Sequence, residues 1–191
     1  MAGSNKLSYG VLPVVGTGGS STPKVREYSV VNGYITAIGQ HHPVCLVASG
    51  NVERYASTAG AKSSAIVGIA AHFVSSTGTG RKVAVYDDPN QLFEIQFAGN
   101  TTTNLAGTVG LNFKVRNPNT YNSTMRGSLM LLDPSSGSAT NITPGIRPFK
   151  CIALSRNVDK DEIVASGSYL GVIVKFNQNC HLYAKGTGQG I

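Results

Sequence analysis

Charge is scarce in this 191-residue chain: Asp, Glu, Lys and Arg together make up 13%, about half the usual share of a globular domain. The 16 basic against 9 acidic residues leave a net charge of +7, but no run of Lys and Arg exceeds the pair Arg81-Lys82. A diffuse excess lacks the clustered stripe of a nucleic-acid reader, so no direct nucleic-acid binding is expected. Trp is absent and Cys is limited to Cys45, Cys151 and Cys180. An odd, widely spaced set does not form a disulfide framework and reads as free thiols in or near a core. No apolar run approaches the ~18–20 residues of a membrane helix. No charged start followed by a long apolar stretch marks a signal peptide, so a membrane is not an expected partner. What fills the space is Ser, Thr, Asn and 23 Gly, a composition that suits many short strands joined by turns.

Residues 1–24 read as an N-terminal arm and linker. The apolar run Val11-Leu12-Pro13-Val14-Val15 is followed by 16-GTGGSSTPK-24, a flexible connector. A short strand held off by such a linker needs a sheet edge, in its own molecule or in a neighbour. Tyr9, Val11, Leu12, Val14 and Val15 are therefore candidate contacts to a neighbour. From residue 25 to 191 the pattern is one all-β domain, a single β-sandwich or barrel of about ten strands, with a jelly roll among the arrangements it allows. Asn32-Gly33 predicts a hairpin between 25-VREYSVV-31 and 34-YITAI-38. The run 64-SAIVGIAAHFV-74 fits a helix stripe or a buried strand. Its flanking turn residues favour the strand, with Gly68 at a bulge or close approach. Residues 157–165 are expected to hold one helical turn.

The segment 83-VAVYDDPNQLFEIQF-97 concentrates three carboxylates, Asp87, Asp88 and Glu94. Phe93, Ile95 and Phe97 alternate with Glu94 and Gln96, as on a strand with one buried and one wet face. Asp87, Asp88 and Pro89 read as turn chemistry closing a hairpin, with Glu94 pointing outward. No catalytic pair is expected. His41-His42 and Cys180-His181 are adjacent and face opposite sides of a strand, so no metal site is expected. The segments 16–24 and 60–64 miss the P-loop spacing, and 186-GTGQG-190 has no element after it. No G-x-S-x-G elbow is present. Neither enzyme activity nor a cofactor follows from these residues.

The order of these features resembles the capsid decoration, or cement, proteins of tailed bacteriophages. The resemblance is carried by the Gly-rich arm, 63-SSAIVGIAA-71, 85-VYDDPNQLFEIQ-96, 106-AGTVGLNFKV-115 and 149-FKCIALSRNVDKDEIVASGSYLGVIVKFNQNCHLY-183. It implies a non-enzymatic virion protein, made in the host cytoplasm. Such a protein binds the outer capsid surface as a dimer or trimer and bridges neighbouring major capsid subunits. The alternative is a receptor- or glycan-binding β-domain of a fibre or head appendage. The missing Trp, and Tyr121 as the one aromatic in a clearly polar loop, count against it. A hydrolase would require Asp87, Asp88 and a His around one pocket.

Overall fold

A computed structural model describes residues 9–14, 23–55, 66–98, 105–116, 122–124, 126–139, 147–155 and 171–183. Val15, the linker, Tyr121 and the expected turn at 157–165 lie outside them. Twelve strands make up the described fold: β1 (Leu12–Pro13), β2 (Arg26–Ser29), β3 (Pro43–Leu46), β4 (Val52–Arg54), β5 (Ile66–Ala70), β6 (Lys82–Tyr86), β7 (Phe93–Gln96), β8 (Asn112–Phe113), β9 (Val115–Arg116), β10 (Leu131–Leu132), β11 (Phe149–Leu154) and β12 (Gly171–Phe176). They form two five-stranded sheets, ordered β2-β6-β5-β3-β4 and β1-β7-β12-β11-β8, and a ribbon of β9 and β10. All pairings between these strands are antiparallel. The fold is an all-β sandwich. Its sheets are segregated along the chain: β2 to β6 build one, and β7, β8, β11 and β12 build the other, with β1 added to its edge. A jelly roll, in which successive strands alternate between sheets, has a different order.

The main core lies between the sheets. Phe93, Ile95, Phe149, Cys151, Val172, Val174 and Phe176 point inward from the second sheet and meet Ile66, Ile69 and Tyr55 of the first. Phe93 and Phe149 both contact Phe176, edge-on at 5.1 Å and stacked at 5.7 Å between centroids. A second cluster covers the other face of the first sheet, where Val30, Ile38 and Val74 pack on Val44, Val67, Val83 and Val85. This explains the run at 66–70. Every residue of β5 is buried, because the strand is central and covered on both faces, and such strands lose the period-2 alternation. Gly68 is a close approach: a Cβ there would collide with the Tyr86 carbonyl oxygen and lie 2.6 Å from Val85 Cγ1. The register of β3 against β5 shifts beside it.

Two expected hairpins are corrected. Asn32-Gly33 does turn the chain, with Gly33 at φ 74° and Tyr34 N–H donating to the Val31 carbonyl at 3.2 Å. Residues 34–38 do not return along β2, however; β2 pairs with β6, and Ile38 bridges Val74. Burying Val30, Ala37 and Ile38 over the open sheet face removes more apolar surface from water than a local two-stranded ribbon would. The second hairpin, built on Asp87, Asp88 and Pro89, is not one either. Strands β6 and β7 lie in different sheets, and residues 87–92 carry the chain between them. Asp88 does serve the turn, accepting Asn90 N–H through Oδ1; Asp87 does not, being buried against Arg26 and Tyr28, and the strands on either side do not pair.

Candidate functional site

The first candidate is the seat of residues 9–14. β1 pairs with β7, Leu12 opposite Glu94 and Pro13 opposite Phe93. Val14 N–H donates to the Leu92 carbonyl at 2.9 Å and Val11 N–H to the His41 carbonyl at 3.2 Å. Gln91 Nε2 donates to the Val14 carbonyl at 3.0 Å. Pro13 has no N–H to offer, which an edge strand tolerates. Val11 is fully buried in the main core. Gly10 makes this approach feasible: its φ is +72°, and a Cβ would lie 2.6 Å from Ser128 Cβ. The Tyr9 hydroxyl donates to Glu94 Oε1 at 2.8 Å. Burial first, and the carboxylate second, push the Tyr9 phenol far above its usual value. Of the two edges such a strand could take, in its own molecule or in a neighbour, the single chain shows the first: Leu12 and Pro13 complete the edge of β7, with Tyr9, Val11 and Val14 bonded or packed on either side of them. Glu94 does face outward from the sheet, but the arm half-covers it. The wet face expected for β7 fails at Gln96, which is buried with Oε1 lacking a hydrogen-bond partner.

The second candidate is the acidic corner. Asp87 is buried. Its Oδ2 accepts the Tyr28 hydroxyl at 2.7 Å and pairs with Arg26 Nε at 3.3 Å. The Tyr28 and Tyr183 hydroxyls are 2.9 Å apart, and the Arg26 guanidinium lies 5.8 Å from the Tyr183 ring centroid. Asp88 Oδ1 accepts Asn90 N–H at 2.8 Å, the Asx turn that the sequence implied. Behind the corner His181 is fully buried. Its ring lies 4.5 Å from that of Phe176, and Nδ1 accepts the Tyr183 N–H at 3.2 Å. Burial pushes its pKa down to about 4 against weaker upward pulls from the Val67 backbone, Asp87 and Asp88.

Asp87 and Asp88 lie close enough to His181 to act on its charge, but the three do not line a pocket, which is what a hydrolase would require. The groups are occupied with holding structure: Asp87 is tied to two side chains of β2, and His181 has no exposed surface. What the corner does is pin the sheet crossing and the C-terminal segment to the edge strand β2. Tyr28 and Tyr183 were not foreseen as its partners. They are 155 positions apart, and nothing in local patterning links them.

Among the described residues no three His, Cys, Asp or Glu are gathered to hold a metal ion. The three cysteines are buried and unbridged. A cleft of about 220 Å³ opens at β8, β11 and β12, with Lys150 and Lys175 on its wall. The two lysines are outward positions of alternating strands 25 residues apart, and only the register of β11 on β12 sets them opposite one another. No protein-family model, curated protein or solved structure matches this chain.

Proposed function

We propose that this chain is a non-enzymatic structural protein of a bacteriophage virion. It binds the outer surface of the capsid as a dimer or trimer and stabilises the head by bridging neighbouring major capsid subunits. The observation that carries this reading is the seat of residues 9–14. A short strand, separated from the domain by a Gly- and Ser-rich stretch, completes a sheet edge through main-chain hydrogen bonds. Exchanged between subunits, the same strand would complete a neighbour's β7 in place of its own, since main-chain bonds supply the affinity whatever the partner's sequence. Several such contacts in one oligomer multiply into tight net binding. The likeness in motif order to decoration proteins supports the reading, and a net charge of +7 suits an acidic exterior.

Quantitative mass spectrometry of purified particles tests it. A fixed ratio to the major capsid protein, near one or a simple fraction, is expected. A few copies per particle, or none, would overturn the reading.

A further inference from the structure

Lys150 and Lys175 face each other directly across β11 and β12. Both line the cleft with Asn112, Asn177, Gln178 and Asn179. Like charges placed opposite on one sheet face repel, so an isolated domain gains nothing from this pair. The surrounding amides are used to build the walls. Asn112 Nδ2 donates to the Ser138 carbonyl at 3.4 Å and Asn177 Nδ2 to the Arg147 carbonyl at 3.0 Å. Asn177 Oδ1 accepts Asn179 N–H at 3.1 Å. The lysines are not used in this way: none of the ion pairs among the described residues includes either of them. The carboxylate nearest in register on this face is Glu94, opposite Ile173, and it already accepts the Tyr9 hydroxyl.

We propose that this cleft is an anion site that receives the carboxylates of an acidic protein segment. Two ammonium groups in a preformed frame of amides offer donors and no carboxylate. Lys is a compact charge that accepts carboxylates from varied directions. The site holds two cations at one spot. It is not a basic stripe that tracks a nucleic-acid backbone, and no aromatic ring stands exposed in it for base stacking. The inference rests on the capsid reading only for the identity of the segment, an outward loop of the major capsid protein.

The test uses the full chain, the double variant Lys150→Gln/Lys175→Gln, and a charge-matched control, Lys24→Gln/Lys114→Gln, at two exposed positions. The probe is a fluorescent hexaglutamate peptide followed by anisotropy at low and high salt. Oligothymidylate and inorganic phosphate serve as competitors. The cleft variant should bind the peptide at least about tenfold more weakly, as expected for lost charge-assisted bonds. The control should keep most of the affinity, and both variants should melt at or above the wild-type temperature. Equal losses in the two variants would reduce the effect to net charge and overturn the site. Preference for oligothymidylate or phosphate over hexaglutamate would overturn the acidic-protein assignment. The same three proteins are then added to particles stripped of this chain. Wild-type binding with no loss in the cleft variant sinks the capsid role of the cleft and leaves the decoration reading intact. Lysine-dependent peptide binding without particle binding does the reverse.

Discussion

Replacing His181 with Gln removes a buried titrating group and should flatten the acid limb of the stability curve. His181 has no exposed surface, and its pKa falls from 6.5 to about 4 on folding, chiefly through burial. Above pH 6.5 the ring is neutral in both states and its contribution is complete. Between 6.5 and 4 the unfolded chain binds a proton that the folded chain refuses, so stability falls as the pH falls. The slope is about 1.4 kcal/mol per pH unit, which accumulates to about 3 kcal/mol across the window. The groups that act on the ring from around it are Asp87, Asp88 and the Val67 backbone, with Tyr183 and Phe176 in ring contact. Burial also lowers the His41 pKa, and that effect is common to wild type and variant. Their difference therefore isolates His181. Urea melts at closely spaced pH values should show His181→Gln less stable than wild type at neutral pH, with the gap closing as the pH approaches 4. An NMR titration should find one of the four histidines still neutral well below pH 6. Parallel acid limbs for the two proteins would refute the burial argument.

Four further perturbations follow from the structure. Phe93→Ala should cost roughly 3–5 kcal/mol in a denaturant melt, as for a buried aromatic, while Asp88→Asn, which leaves Oδ1 to accept Asn90 N–H, should cost much less; a neutral Phe93→Ala would mean the strand phase is wrong. Gly68→Ala should destabilise by about 1–3 kcal/mol or more, because β5 and β6 must part to admit a methyl group beside Tyr86 and Val85; an unchanged melting temperature would contradict the close approach. Removing residues 1–16 should leave a folded core but lower its stability by about 1.5–3 kcal/mol, the worth of burying Val11. The truncated protein should also bind particles more weakly, and unchanged particle affinity would end the role given to the arm.

Much of the fold was legible in composition and alternation. Glycine, scarce charge and short apolar runs announced strands. The alternation in 92-LFEIQF-97 put Phe93 and Ile95 in the core, where they lie. Gly68 was readable as a close approach because a glycine inside an apolar run has few other uses. Asp88 was readable as turn chemistry because its partner is two residues away. All of these depend on neighbours close in sequence, which is the range over which propensity and period act.

The tertiary structure decided which strands met. Nothing local distinguishes a turn that closes a hairpin from one that crosses between sheets, so Asp87, Asp88 and Pro89 read equally well as the former. The crossing is fixed by Asp87, held to β2 by Arg26 and Tyr28, and by Phe93, which starts β7 in the second sheet and packs into the core against Phe176. Residues 9–14 were expected to need an edge somewhere, and only the assembled core showed that their own β7 supplies it. Lys150 and Lys175 were two unremarked surface positions until β11 and β12 aligned. Residue type and spacing are properties of the chain, and they determined the class of fold and its turns. Pairing, sheet crossing and the convergence of charges arise from free energies gained between segments far apart in sequence, and those are settled only when the two sheets close on one core.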